Sequence, residues 1–109
     1  MNSSAKIKVW LKEPEKKVRH VWISPRLENL QKTVGGYVEA YFLSPHVAIL
    51  CNEEGKLRNL PHNVDLEGEQ FVGTIIFVGV KGEDFSSCPW ELDEIKKYYP
   101  QLFKEKEDE

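Results

Sequence analysis

The chain has 109 residues, 40% hydrophobic and 30% charged, with 7 glycines and 6 prolines. This is the composition of one globular domain, and it excludes a second core, wholesale disorder and low-complexity or collagen-like repeats. A formal net charge of -3 argues against a dedicated DNA binder, and the longest apolar run, Phe71 to Val80, is too short to cross a bilayer.

Ile7, Val9 and Leu11 alternate with Lys8, Trp10 and Lys12, the period-two pattern of a half-buried strand. Pro14 marks a turn, and a second strand is expected from Lys17 to Ile23. A turn centred between Pro14 and Glu15 pairs Leu11 with Val18, Val9 with His20 and Ile7 with Trp22. The opposite face then carries Lys8, Trp10, Lys12, Lys17 and Arg19, with Trp10 across from Arg19 in a cation–π arrangement. A one-residue slip would invert this assignment.

Ser24 and Pro25 form a helix start, with Ser24 as cap, and Leu27, Leu30 and Val34 recur at helical spacing. The helix is expected over Pro25 to Val34, stopped by Gly35 in a left-handed conformation, with Gly36 easing the turn into the next strand. Strands Tyr37 to Leu43 and Val47 to Asn52 flank a short hairpin loop at Ser44-Pro45-His46. Beyond a turn at Glu53 to Lys56, periodicity lapses from Leu57 to Gln70, and this stretch reads as a long loop with a role beyond connection.

Phe71 to Val80 is apolar on both faces and rich in β-branched residues, which places it centrally in the sheet. Lys81 to Ser87 reads as loop. A last helix starts near Ser87 or Cys88 with Pro89 in its first turn, carries Leu92, Ile95, Tyr99 and Leu102, and is interrupted by Pro100. The order β-β-α-β-β-loop-β-α implies an α+β fold: a mainly antiparallel sheet of about five strands with two helices covering one side. Residues 1–103 are expected to form the single domain and residues 104–109 a charged, flexible tail.

Charge is uneven along the chain. Met1 to His20 holds six cationic and two acidic residues, and Glu91 to Glu109 four cationic and seven acidic ones. No apolar export signal opens the sequence, so a cytoplasmic location with Cys51 and Cys88 reduced is the expectation.

Chemistry-bearing patterns are sparse. Cys51, Cys88, His20, His46 and His62 show no paired metal-ligand spacing, so no metal and no cofactor is expected. Cys51 near His46 or His62 offers a conceivable nucleophile–base pair, but its apolar alternation with Val47 and Ile49 favours an inert thiol. Cys88, at the expected helix start, would have its pKa lowered by free backbone N–H groups. The carboxylates at Glu53, Glu54, Asp65, Glu67, Glu69, Glu83 and Asp84 lie in polar turns, without the contrasting environments that acid–base catalysis needs. No enzyme is expected. Two features stand out: the basic, aromatic hairpin face, and the segment Asn52 to Asn63, whose Lys56, Arg58, Asn59, His62 and Asn63 suit an anionic ligand.

The segments Val34-Gly35-Gly36-Tyr37-Val38-Glu39, Asn52-Glu53-Glu54-Gly55-Lys56-Leu57, Leu60-Pro61-His62-Asn63 and Val72-Gly73-Thr74 occur here in a specific order. Together they resemble a family of small proteins of unknown function encoded by bacteria, phages and other mobile elements, over about Lys6 to Val80. The resemblance marks Gly35, Gly36, Asn52, Gly55, Pro61, Asn63 and Gly73 as motif positions and brings no reaction or substrate with it. A mobile-element setting implies action by binding, such as sequestering a host signal. The resulting expectation is a non-enzymatic, homo-oligomeric protein that binds a small anionic ligand such as a nucleotide. Lys56 and Arg58 would neutralise phosphate, Asn59 and Asn63 would read polar edges, and Tyr37 or Trp10 would stack, with His62 in the same ligand-binding set. The alternative is a protein-interaction module that inhibits or adapts a host protein through its acidic C-terminal helix or a sheet edge.

Overall fold

A computed structural model describes residues 5–104. The expected tail, apart from Lys104, lies outside the described residues. The fold is α+β, with eight strands among the described residues where about five were expected. They are β1 (Ile7–Lys12), β2 (Arg19–Ile23), β3 (Val38–Ser44), β4 (Val47–Asn52), β5 (His62–Leu66), β6 (Glu69–Val72), β7 (Ile75–Lys81) and β8 (Asp84–Ser86). The helices are α1 (Leu27–Val34) and α2 (Leu92–Tyr98), the latter followed by a 3-10 turn over Pro100–Phe103.

The main sheet is antiparallel in the order β2-β1-β7-β4-β3, with β8 paired to β7, and β5 and β6 form a separate hairpin. Central placement puts β7 under cover on both faces, which is why its sequence does not alternate. Ile75 and Phe77 pack with Trp10, Val47 and Ile49 beneath Val64, Leu66, Phe71, Ile95, Tyr99 and Leu102. Ile76 and Val78 pack with Val9, Leu11, Ala48 and Leu50 against Leu30 of α1. The two helices therefore cover opposite faces instead of sharing one side, and the β5–β6 hairpin lies on the α2 side.

The N-terminal hairpin is one residue out of the expected register. Trp10 pairs with His20, Leu11 with Arg19 and Ile7 with Ile23. The cause is Val18: its N–H donates to the Leu102 carbonyl (2.9 Å) and its side chain joins the core, so the connection lengthens and strand pairing begins only at Arg19. The basic, aromatic face consequently does not form. Trp10 is 5% exposed and Lys12 2%, and Arg19 falls on the face opposite Trp10.

Helix α1 starts two residues later than expected, with Arg26 as a cap that makes no side-chain cap bond; Ser24 Oγ instead accepts from the Arg26 N–H (3.3 Å). Gly35 ends it in the left-handed region at φ 84°. Helix α2 starts at Leu92, behind a reciprocal capping box between Glu91 and Glu94, and not at Ser87 or Cys88. The segment read as loop from Leu57 to Gln70 contains β5 and the first half of β6, joined at Glu67 and Gly68 with φ 52° and 79°, as a two-residue primed turn requires. His62 and Asn63, within the stretch read as loop, lie in β5. Gly73, at φ 72°, divides the apolar run Phe71 to Val80 between two sheets.

Candidate functional site

The motif positions assemble into a brace. Asn52 is buried at the end of β4; its Nδ2 donates to the Val34 carbonyl (3.3 Å) and its Oδ1 accepts from the Glu54 N–H (2.8 Å). A Cβ on Gly36 would lie 2.7 Å from that Nδ2, so the close approach of helix end and strand end requires glycine there. Gly55 faces Val72, Gly73 faces Leu60, and the Gly73 N–H donates to the Pro61 carbonyl (2.7 Å). Asn63 Nδ2 donates to the carbonyls of Lys12 (2.8 Å) and Gly73 (2.6 Å). These groups tie the 52–63 segment to both sheets.

The expected ligand residues do not converge. Lys56 Nζ lies 3.0 Å from Glu69 Oε2, and Arg58 Nε 3.3 Å from Glu54 Oε1. Asn59 adopts φ 56° in an exposed turn, Tyr37 is exposed, and Trp10 is a core residue whose Nε1 donates to the Trp90 carbonyl (3.0 Å). His62 Nε2 is 2.7 Å from Asp65 Oδ1.

Two of the set, His62 and Asn63, do meet. They line a cavity of about 410 Å³ with Lys12, Glu15, Pro61, Gln101 and Lys104. Lys12 comes from the end of β1, on the Trp10 side of the sheet, and Gln101 from the 3-10 turn. The Lys12 ammonium donates to the Glu13 carbonyl (2.9 Å) and to Asn63 Oδ1 (2.9 Å), both neutral. Among the described residues no carboxylate oxygen lies within 4 Å of it, and two of its three N–H donors account for all its hydrogen bonds. Burial lowers its pKa from the ordinary lysine value. Gln101 and Lys104 had no sequence signal; they arrive only because Pro100 turns the chain back over β5. Lys12 was visible as a cation, but its burial follows from the covering layer.

A second cavity, of about 320 Å³, lies between β3, β4 and β6. Tyr41 and Phe71 meet edge to face at its base (5.5 Å between centroids), beside Cys51. Its charged lining consists of Glu39, Glu53, Glu69 and the already paired Lys56, which disfavours an anion.

Neither thiol is activated. Burial first, then Glu39 and Glu69, pushes Cys51 up to about 11; burial also pushes Cys88 up to about 11. The lowered Cys88 pKa expected from a helix start is corrected by the start of α2 at Leu92. Both thiols are therefore expected to react with Ellman's reagent at pH 8 about a hundredfold more slowly than free cysteine, by their smaller thiolate fraction, and at the free rate after denaturation. Stopped-flow absorbance checks this; a fast native phase would contradict it. Among the described residues no group of three or more His, Cys, Asp or Glu is placed to hold a metal, and no helix is long and apolar enough to cross a membrane.

Compared with known proteins, the chain matches over residues 7–103 a family model described as a domain of unknown function, DUF3846. No curated protein and no solved structure matches it.

Proposed function

The chain belongs to the DUF3846 family of domains of unknown function, and from that premise we propose that it is a non-enzymatic binding protein whose small anionic ligand sits in the Lys12 cavity. The observation that carries this reading is Lys12, a residue 2% exposed whose ammonium, among the described residues, bonds only to neutral oxygens. Burying an ammonium is unfavourable by several kcal/mol unless an opposite charge compensates. An anion beside Lys12 supplies that charge, with His62, Gln101 and Lys104 as further donors around the cavity and Glu15 as its acidic member.

Phosphomonoesters and small carboxylates fit this donor set, and a nucleotide belongs to the first class. Asn63 acts as a positioning residue, since its Oδ1 holds the ammonium and its Nδ2 is anchored on two backbone carbonyls. The cavity is complete within one chain, so binding there does not require the homo-oligomer expected from chain length. A protein partner is the second reading, favoured by the sheet edge at β3, which among the described residues pairs with no further strand.

Thermal denaturation with inorganic phosphate and with adenosine monophosphate tests the reading. At a hundred times Kd, a ligand stabilises by about 2.7 kcal/mol, and the melting temperature should rise saturably. Lys12→Met should weaken binding at least tenfold, and Lys104→Ala, at an exposed position, should weaken it less while leaving the apo protein folded. Affinity should fall as pH rises through the lowered Lys12 pKa, because only the ammonium attracts the anion. A flat titration with both probes, or a response that survives Lys12→Met, would overturn the assignment.

A further inference from the structure

Strand β3 ends the main sheet: it pairs with β4 on one side and, among the described residues, with no strand on the other. Exposed edges are ordinarily blunted by lysine, proline or a bulge. From Val38 to Phe42 β3 has none of these; its one charge is Glu39, and its register irregularity comes only between Phe42 and Ser44. The opposite edge, β2, carries Arg19 and His20. On β3, Ala40 is exposed and Phe42 is 55% exposed.

The 320 Å³ cavity adjoins this unguarded edge. Glu39 and Tyr41, two apart on β3 and so on one face of the strand, form its near wall, and Glu69 and Phe71 of β6 line it as well. Its three carboxylates, Glu39, Glu53 and Glu69, exceed its single lysine, over an aromatic base.

We propose that β3 accepts an extended basic segment of a partner protein as an added strand, with one lysine or arginine side chain seated in the cavity between Glu39 and Glu69. Backbone pairing supplies affinity irrespective of sequence, and period two directs alternate side chains to the cavity face. The aliphatic stem of a lysine or arginine lies against Tyr41 and Phe71 while its head meets the carboxylates. Intervening residues fall on the other face, beside Ala40 and Phe42, where apolar side chains are favoured. The preferred segment therefore alternates basic and apolar residues. This proposal is independent of the Lys12 cavity and uses none of its residues.

Fluorescence polarisation with a fluorescein-labelled nonapeptide of alternating lysine and valine, against the same peptide with glutamate for lysine, provides the test. The lysine peptide should bind at least tenfold tighter, with amide shifts concentrated on residues 38–42. Glu39→Lys, an exposed substitution that also guards the edge, should weaken it at least tenfold, and Glu53→Gln with Glu69→Gln should weaken it severalfold. Lys81→Glu, away from the edge, should leave it unchanged. Equal binding of both peptides, shifts elsewhere, unchanged affinity in Glu39→Lys, or a self-association through β3 that excludes the peptide would each overturn the proposal.

Discussion

Gly79→Ala is expected to destabilise the protein by about 3–5 kcal/mol, the sum of an overpacked core site at about 1–3 kcal/mol and two hydrogen bonds lost at about 1 kcal/mol each. Gly79 lies in the central strand β7, paired with Val47 on one side and Ser86 on the other. A Cβ there would stand 2.2 Å from the Ser87 carbonyl oxygen, 2.7 Å from Ser86 Oγ and 3.1 Å from the Ser87 carbonyl carbon. Two of those atoms are backbone and cannot rotate aside. Nor is the segment free to retreat, because Ser87 Oγ accepts from the Lys8 N–H (2.9 Å) and the Cys88 N–H donates to the Lys8 carbonyl (2.9 Å). Relief of the clash must break those bonds or tilt β8 off the sheet. Urea denaturation reads the loss directly, and at about 4–8 °C per kcal/mol the melting temperature should fall by more than 10 °C. Gly82→Ala is the control: its φ of 63° is unfavourable for alanine, but no atom lies within 4 Å, so a loss of about 1–2 kcal/mol is expected.

The close packing at Gly79 illustrates which features were legible in the sequence. Strands whose two faces differ, or whose both faces are apolar, announced themselves: β4 has the expected bounds and β7 the expected central place. Gly35 stopped α1 for the expected reason. What failed was set by contacts distant in the chain. The hairpin slipped by one residue because Val18 bonds to Leu102, some eighty positions away, and no local rule contains that bond. The β5–β6 hairpin carried a local signal, the Glu67-Gly68 turn with Val64, Leu66 and Phe71 on its inner side, but Pro61 and the surrounding charges obscured the alternation.

For the site, the residue types were visible and their grouping was not. Lys56 and Arg58 were legible as cations, yet each is paired to a glutamate brought close by a turn or by β6. Lys12 read as one cation of an exposed face. Its significance depends on the layer of β5 and the 3-10 turn that buries it, and that layer lay partly within the stretch taken for loop. The motif glycines and asparagines, conversely, were recognised as a set from resemblance alone, and their geometry supplies the reason: Gly36, Gly55 and Gly73 are positions where a Cβ would meet a neighbour within 3 Å.

Asn63→Ala should cost at least about 3 kcal/mol, since each buried polar group left without its partner costs about 1–3 kcal/mol and three partners are affected. Asn63 stands at the irregularity between His62 and Val64, which turns its side chain from the β5–β6 ladder toward β1. From there it donates to two carbonyls, those of Lys12 and Gly73, and accepts from the Lys12 ammonium. Removing it leaves that ammonium with a single acceptor, the Glu13 carbonyl. The pH dependence separates this effect from simple loss of packing. Burial already lowers the Lys12 pKa, so the folded state binds fewer protons than the unfolded state between that lowered value and the ordinary 10.5, and stability from this group rises with pH across that window. Losing an acceptor lowers the folded pKa further. The penalty of Asn63→Ala should therefore be largest where the ammonium is charged, and shrink as pH rises through the lowered Lys12 pKa, above which a neutral amine tolerates the missing acceptor. Asn63→Asp offers the complementary result: its carboxylate compensates the ammonium, so response to inorganic phosphate should disappear even though the two carbonyls lose their donor. Urea denaturation of both variants at a series of pH values from 7 upward past the ordinary lysine pKa, with and without phosphate, resolves these outcomes; a penalty independent of pH would mean that Asn63 acts through the carbonyls alone.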